Sequence, residues 1–315
     1  MGKCEGKVVI VTGAGRGIGR GEALEFARQG ASVVVNDFGV NVHGGEPSSE
    51  VANAVVEEIQ ASGGIAVANA DDVSDWNGAK RLVDTAIDSF GRLDVLVNNA
   101  GILRDRTVAN MSIEEWDDVV RVHLRGTFLT LRHSAEYWKA LAKDGAELDV
   151  RVINTSSSSG LLGNPGQSNY GAAKAGIASL TIIAAQELLR YGVSVNAVAP
   201  TALSRMTEDR PFAQKYLNLD SGTFNPLAPE NVAPSVVWLA TEAAKGITGR
   251  VFFVAGGSIA VAEPWRKGPE ADKGARWDVD ELDGVIPDLL SRADRQEFMK
   301  PLVTNGGATA APASV

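Results

Sequence analysis

The stretch "KVVIVTGAGRGIG", residues 7–19, decides how the rest of the chain is interpreted. It begins as a run rich in β-branched residues, which is typical of a buried strand in a parallel sheet. Its glycines then lead into a segment with apolar residues at helical spacing, residues 19–30. A strand, a glycine-rich turn and a helix start form the context that a phosphate-binding turn requires.

The same alternation of strands and helices continues to about residue 257 without a linker. It predicts an α/β fold: a single doubly wound (Rossmann) domain, residues 1–261, with a seven-stranded parallel sheet. The strands are expected at 7–13, 31–37, 65–73, 93–101, 149–157, 193–200 and 249–257, and the helices at 19–30, 48–64, 76–91, 112–143, 169–192 and 234–246.

Two segments depart from this pattern. Residues 201–233 lack strand character and follow a sheet strand, so we expect a lid over a ligand site there. Residues 262–315 form a C-terminal extension with two tryptophans, Trp265 and Trp277, which we expect to pack against the body. The end of the extension is low in complexity and is predicted to be disordered.

The composition excludes several classes of function. The 315-residue chain has a net charge of −9 and no basic run, so we expect no nucleic-acid partner. A single cysteine, Cys4, rules out an internal disulfide and favours a reducing compartment. No segment approaches the roughly 18 apolar residues of a membrane span. We therefore predict a cytoplasmic protein with no membrane partner and no metal site.

The glycine turn is the predicted cofactor site. Glycines let the backbone approach a pyrophosphate, and the helix start adds amide donors and a positive dipole end. The residues expected to contact the cofactor in this turn are Gly13, Arg16, Gly17, Ile18 and Gly19.

An acidic residue, Asp37, follows the second strand, 18 positions beyond Gly19. Its carboxylate would accept hydrogen bonds from the adenosine ribose and repel a 2′-phosphate, which favours NAD over NADP. Arg16 favours NADP instead, because a basic residue in the turn can hold that 2′-phosphate. A solvated carboxylate at the strand end is the alternative interpretation of Asp37.

Two further strand ends carry candidate cofactor contacts. Asp72 is predicted to bind the adenine amino group, beside the amide of Val73, although an ordinary helix cap by Ser74 or Asp75 is equally compatible with this stretch. Asn99 is predicted to contact the cofactor at the end of the fourth strand, with a purely local backbone role as the alternative.

Tyr170 and Lys174 are four positions apart on a predicted helix and therefore share one face. A free tyrosine has a pKa of about 10, too high for a base near neutrality, and an adjacent ammonium lowers it. In isolation this spacing is also typical of a solvated helix face.

The Tyr170 and Lys174 spacing is not an isolated signal, because the chain carries five motifs: "TGAGRGIG", "NNAG", "SSSSG", "YGAAK" and "NAVAP". In order and spacing they resemble the short-chain dehydrogenase/reductase family over residues 7–257. Within the family, the chain is most similar to the (3R)-hydroxyacyl-CoA dehydrogenase part of the peroxisomal multifunctional enzyme type 2. That closer resemblance rests on "VVVNDFG", "NNAGILRDR", "RVHLRGTF", "GNPGQSNYGAAK" and "SRMT".

The resemblance implies an NAD-linked alcohol oxidation with assigned roles. Tyr170 as phenolate takes the hydroxyl proton, and Ser157 bonds the substrate oxygen. Lys174 binds the nicotinamide ribose and lowers the Tyr170 pKa, while Pro200 lies beside the nicotinamide. His123 stands where many members have asparagine, so it is a candidate proton relay, with a packed helix histidine as the alternative.

The closer resemblance also implies the substrate, a (3R)-3-hydroxyacyl-CoA oxidised to the 3-oxoacyl-CoA in β-oxidation of fatty acids or sterol side chains. The alternatives are a 17β-hydroxysteroid dehydrogenase, a 3-oxoacyl reductase and, more remotely, a non-catalytic NAD-sensing regulator. Family members usually assemble through helices equivalent to 112–143 and 169–192. We therefore expect a homodimer, with a homotetramer as the alternative.

Overall fold

The computed structural model describes residues 2–39, 48–203, 216, 219, 222–263, 265–294 and 297–299. Within them, eight strands form one sheet in the order β3-β2-β1-β4-β5-β6-β7-β8. The strands are β1 Val8–Thr12, β2 Ser32–Asn36, β3 Ile65–Asn69, β4 Val95–Asn98, β5 Val150–Thr155, β6 Val193–Thr201, β7 Val251–Ala255 and β8 Ser258–Val261.

The sheet corrects one prediction, because it has eight strands where the sequence indicated seven. The predicted last strand, 249–257, ends early at Ala255 and turns back through Gly256 and Gly257. The chain then forms β8, which pairs antiparallel with β7 and joins Ala255 to Ser258. Two glycines between short apolar runs are a known hairpin signal, which the sequence interpretation missed.

The strand order places the reversal of the sheet between β1 and β4. The chain runs outward from β1 through β2 to β3, and then crosses back to pair β4 with the other side of β1. Every residue of β1, β4 and β5 is buried, as expected for parallel strands covered by helices on both faces. In such sheets, ligands bind at the carboxyl ends of the strands, at this reversal.

Nine helices accompany the sheet in the described residues. They are α1 Gly17–Arg28, α2 Glu50–Ala61, α3 Trp76–Phe90, α4 Ile113–Val120, α5 Gly126–Lys143, α6 Ser158–Leu162, α7 Ser168–Leu188, α8 Ala233–Leu239 and α9 Val279–Arg292. The long helix predicted at 112–143 runs without a break from Ile113 to Lys143 and contains a π-helical turn at Arg121–Arg125, between α4 and α5. Helices α6 and α9 had no counterpart in the prediction.

Helix α7 corrects the expectation about apolar segments. Residues Ser168–Tyr191 have the length and apolar composition of a membrane-crossing helix. This is weak evidence for a membrane, because core helices of globular proteins have the same properties. Here Ala173, Ile177 and Ala184 are buried on the side of the helix that faces the protein interior.

About half of the predicted lid and the end of the chain lie outside the described residues, namely 204–215, 217–218, 220–221 and 300–315. The described ends of the lid pack together, with Leu203 and Leu227 buried against Tyr216. The prediction that both tryptophans of the extension pack is wrong for Trp265, which is 90% exposed. Trp277 is half-buried, with the Lys273 ammonium 5.1 Å from its ring centre.

Candidate active site

The glycine turn leaves no room for a side chain at Gly13 or Gly19. Gly13 has a φ of 62°, in the left-handed region, and a Cβ there would lie 2.7 Å from the Ala100 Cα. A Cβ on Gly19 would lie 2.4 Å from the Gly13 oxygen and 2.4 Å from the Asn99 amide nitrogen. Helix α1 begins directly behind this turn, at Gly17. The chain thus forms a bare backbone cradle at a helix start, which suits a pyrophosphate.

Asp37 lies against this turn. Its carboxylate accepts a hydrogen bond from the Gly15 N–H at 2.9 Å and another from the Gly39 N–H at 2.8 Å. A depression of about 320 Å³ opens beside it, lined by Gly15, Arg16, Arg20, Glu50, Val51, Ala54, Val55 and Glu58. The carboxylate and Arg16 thus both lie at the same end of the cradle, as the sequence argument requires.

The other predicted cofactor contacts are engaged locally. Asp72 accepts hydrogen bonds from the Ser74 backbone and hydroxyl at 2.8 and 2.6 Å, and its second oxygen lies 3.2 Å from Arg121. The Asn99 amide donates to the Thr12 and Gly13 oxygens at 3.1 and 3.2 Å. Asn99 therefore supports the glycine turn from below. The cofactor contacts of Asp72, Val73 and Asn99 stay predictions.

Ser157 and Tyr170 meet at the carboxyl end of β5. Ser157 caps α6, Tyr170 lies in the first turn of α7, and the Ser157 hydroxyl lies within reach of the Tyr170 side chain. Burial raises the pKa of Tyr170 above its ordinary value; the Ser157 hydrogen bond lowers it, and the nearby charge of Asp105 raises it further. The pair has the proximity that a shared substrate oxygen requires.

Lys174 lies one turn further along α7, with its Nζ 5.6 Å from the Tyr170 ring centre. Its side chain is buried and donates to the Thr155 oxygen at 2.6 Å. Burial lowers the pKa of Lys174 to about 7. A lowered pKa weakens the positive charge that Lys174 can hold beside the phenol, and the lowering of the Tyr170 pKa by Lys174 stays a prediction.

His123 occupies the centre of the π-helical turn and is 2% exposed. Its Nε2 lies 3.0 Å from the Ile102 nitrogen and 2.7 Å from the Ile102 oxygen, and its Nδ1 has no hydrogen-bond partner. Its ring stands edge-on to Tyr170, with 5.2 Å between ring centres. Burial, with the charge of Lys174, lowers the pKa of His123 to about 3, so the ring is neutral near pH 7.

The other serines of the run support this centre. Ser156 donates to the Lys174 backbone oxygen at 2.8 Å, which ties the end of β5 to α7. Ser159 donates to the Gln167 side chain at 2.8 Å. Pro200 lies near the carboxyl end of β6, beside β5. The structure thus brings together the predicted residues from β5, α7 and the π-helical turn.

Sequence reasoning missed the buried asparagines that hold these segments in place. Asn169, fully buried, donates to the Arg104 and Glu115 backbone oxygens at 3.0 and 2.9 Å and accepts from the Tyr170 N–H at 2.7 Å. The Asn98 side-chain amide on β4 also donates a hydrogen bond to the Asn154 side-chain oxygen on β5. The only sequence signal for Asn169 was its position directly before Tyr170.

Comparisons with known proteins find relatives of this chain. A family model described as short chain dehydrogenase matches residues 7–214. The hydroxyacyl-CoA dehydrogenase ChsB1 of Mycobacterium tuberculosis is 44% identical over 300 residues, covering 93% of this chain and 91% of that protein. The peroxisomal multifunctional enzyme type 2 of Mus musculus is 46% identical over 255 residues, covering 81% of this chain and 32% of that enzyme.

A solved structure is also similar. The crystal structure of a short chain dehydrogenase from Mycobacterium avium matches with a TM-score of 0.85 and 53% sequence identity. The match covers 95% of this chain and 100% of that one. The likeness therefore extends beyond the sheet and includes most of the C-terminal extension.

Proposed function

This chain belongs to the short-chain dehydrogenase family, and we propose that it oxidises a (3R)-3-hydroxyacyl-CoA to the 3-oxoacyl-CoA with NAD. One observation carries the chemistry: Ser157 and Tyr170 lie together with buried Lys174 one helical turn away, at the sheet edge that also holds the glycine cradle. The acyl-CoA substrate is supported by the similarity to the hydroxyacyl-CoA dehydrogenase along nearly its whole length.

The residues present fit a dinucleotide. Gly17, at the start of α1, has no atom within 4 Å of where a Cβ would stand, so this helix start is open to a pyrophosphate. Gly13 and Gly19 let the turn pack closely against Ala100 and Asn99. Members of the family generally bind a nicotinamide cofactor, and we propose NAD because the Asp37 carboxylate lies at the turn. When bound, NAD supplies the hydride acceptor for the alcohol carbon.

The protein's own groups supply the proton chemistry. We propose that Tyr170 removes the hydroxyl proton, while Ser157 donates a hydrogen bond to the same oxygen and positions it. Lys174, whose pKa is lowered to about 7, can give up and regain a proton near neutrality. The buried carbonyl of Thr155 holds its Nζ in place. The proton removed by Tyr170 then has an acceptor on the same helix face.

The decisive experiment measures NADH formation from matched R and S isomers of a 3-hydroxyacyl-CoA, beside a 17β-hydroxysteroid. We expect turnover of the R isomer. Turnover of the S isomer alone, or of the steroid alone, contradicts the proposal. An absence of turnover with all three, together with intact NAD binding, favours the non-catalytic sensor.

A second measurement tests the assigned base. Tyr170→Phe removes one hydroxyl and is expected to lower kcat by about 10²–10⁴-fold, the range of a general base. NAD affinity should stay within about twofold, because the change removes a single hydroxyl and leaves the glycine turn intact. A variant that keeps its turnover removes Tyr170 from the mechanism.

We also propose a homodimer in the cytoplasm. Large apolar side chains are exposed on the helices where assembly was predicted: Trp116 on α4, Phe128 on α5 and Ile183 on α7. Their exposed fractions are 37%, 45% and 49%. Light scattering of Phe128→Glu should show a shift toward the monomer, whereas an unchanged mass argues against this interface.

A further inference from the structure

Four polar side chains next to the proposed site form a connected group that the mechanism above does not use. The Gln167 side chain lies at its centre, and we name the group the Gln167 clamp: Asp105, Ser159, Asn164 and Gln167. The Gln167 oxygen accepts from Ser159 and Asn164, both at 2.8 Å. The Gln167 nitrogen donates to the two Asp105 oxygens at 3.0 and 3.2 Å.

The clamp joins three segments that are far apart in sequence. Asp105 lies in the loop after β4, Ser159 lies in α6, and Gln167 immediately precedes α7. The Ser159 N–H also donates to the Ser157 hydroxyl oxygen at 3.2 Å. Hydrogen bonds therefore connect Asp105 through Gln167 and Ser159 to Ser157, which lies beside Tyr170.

We propose that Asp105 is a positioning residue of the dehydrogenase: through Gln167 it fixes the placement of Ser157 relative to Tyr170. This inference rests on the proposed function, because it assigns Asp105 a part in the same reaction. Asp105 itself needs no contact with the substrate. Its contribution is to hold the two hydroxyls at one spacing while the substrate oxygen binds between them.

The chemistry of the carboxylate explains why an acid occupies position 105. An ionised carboxylate only accepts hydrogen bonds, so the Gln167 amide must present its NH₂ to Asp105 and its oxygen to Ser159. The opposite orientation would place two oxygens together. A neutral side chain at 105 that both donates and accepts would leave the amide free to reverse.

The fold does not depend on Asp105 alone at this place. Asn169 separately ties the same loop to α7 through the Arg104 oxygen, and the backbones of Arg106 and Gln167 form a β-bridge. Removal of the Asp105 carboxylate should therefore leave the chain folded. Its effect should be confined to the orientation of Gln167 and to α6.

The first test is Asp105→Ala, with Asp88→Ala as the control, since Asp88 is an exposed aspartate on α3. We expect kcat and kcat/KM for the R isomer to fall together by about tenfold to 10²-fold, with NAD affinity unchanged. A KM effect alone would indicate substrate contact instead of positioning. Kinetics equal to those of the Asp88→Ala control would overturn the proposal.

The second test exchanges the hydrogen-bond donor and acceptor between positions 105 and 167. Gln167→Glu places two carboxylates together and should lower kcat at least as much as Asp105→Ala. Adding Asp105→Asn restores a donor and an acceptor in reversed order, so the double variant should recover most of the lost kcat. A merely structural role gives no reason for this rescue, and a double variant as slow as Gln167→Glu overturns the proposal.

A third readout uses the charge of Asp105 at Tyr170. The charged and titratable groups around Tyr170 are Lys174 from its own helix, His123 from the π-helical turn and Asp105 from the loop after β4. Because Asp105 raises the Tyr170 pKa, Asp105→Asn alone should move the acid limb of the kcat profile to lower pH. A limb that stays in place, or moves to higher pH, contradicts this arrangement.

Hydrogen exchange separates failure of the clamp from failure of the proposed function. Gly160 and Leu161 donate to the Ser157 backbone oxygen at 2.9 and 3.2 Å, so exchange at their amides reports the order of α6 without any substrate. Faster exchange at 158–167 in Asp105→Ala, but not in Asp88→Ala, supports the clamp even if wild-type protein turns over no hydroxyacyl-CoA. Unchanged exchange in that case refutes it.

Discussion

The two ends of the site are built by different means. At the cofactor end, between β1, α1 and β2, the shape comes from the backbone: Gly13 and Gly19 pack so closely against Ala100 and Asn99 that a Cβ would collide with them. At the catalytic end, around β5 and α7, the shape comes from buried polar side chains. Asn169, Asn154 and His123 each hold segments distant in sequence.

This difference sets what each end tolerates. A backbone cradle fails when any side chain is added, whereas a network of side chains fails when one is removed and its partners stay buried. The following predictions use that contrast, in order of decreasing expected effect.

The largest effect is expected from removing a support at the catalytic end. Asn169→Ala removes the hydrogen bonds that the Asn169 side chain makes to the Arg104 and Glu115 carbonyls and to the Tyr170 N–H. We expect a loss of about 3 kcal/mol or more in the free energy of unfolding, measured by urea denaturation, because each orphaned group costs roughly 1–3 kcal/mol. The exposed Asn110→Ala is the matched control and should change stability by less than about 0.5 kcal/mol. Equal stability losses in the two variants would mean that the Asn169 hydrogen bonds do not stabilise the catalytic end.

At the cofactor end, adding a side chain should be more harmful than removing one. Gly13→Ala adds one methyl group where φ is 62° and the Ala100 Cα is 2.7 Å from the new Cβ. We expect a stability loss of about 1–3 kcal/mol and a weaker NAD affinity by calorimetry. Gly257→Ala, in open space at the hairpin turn, is the control. Unchanged NAD affinity in Gly13→Ala would show that the cradle does not hold the cofactor.

Helix α1 carries a buried acidic side chain, Glu22, that lowers the stability of the folded protein as the pH rises. Glu22 is fully buried, neither of its oxygens has a hydrogen-bond partner, and burial raises its pKa to about 8. In the unfolded chain this group ionises near its ordinary pKa. The folded state therefore holds an extra proton between about pH 4.5 and 8, and stability falls as pH rises through that window.

Glu22→Gln removes this titration but keeps an unpaired polar group. We expect a stability gain of about 1–2 kcal/mol at pH 8, which disappears at pH 4. Thermal unfolding at the two pH values measures the difference, and the exposed Glu57→Gln serves as the control. A gain that is the same at both pH values would contradict ionisation as the cause.

The smallest effect is expected at His123. Because the pKa of His123 is lowered to about 3, its ring stays neutral across the working range and should contribute no limb to the rate profile between pH 5 and 8. His123→Asn keeps a group able to bond the Ile102 backbone, and kcat should fall by less than about 10²-fold. A limb near pH 6.5 that disappears in the variant would identify His123 as a titrating relay.

The same contrast explains what the sequence could predict. The strand–helix alternation, the glycine turn at 13–19 and the shared face of Tyr170 and Lys174 depend on local spacing, and the structure has them at those places. The Asn169 contacts bridge 65 and 54 positions, so no local pattern indicates them. The hairpin at Gly256 was predictable from two adjacent glycines. The π-helical turn was not, because its residues read as ordinary helix.

That turn has a consequence for how the family can vary in length. A π-helical turn carries one more residue than an α-helical turn, and each residue rotates a helix by about 100°. Deleting one residue between Arg121 and Arg125 would restore regular winding, and α4 and α5 would keep nearly the same rotation about their axis, because the shorter α-helical turn still closes one revolution. The deletion would instead remove the wide turn that carries His123, whose ring stands edge-on to Tyr170. We therefore expect the flanking helices to keep their faces after such a deletion, and the placement of His123 to change.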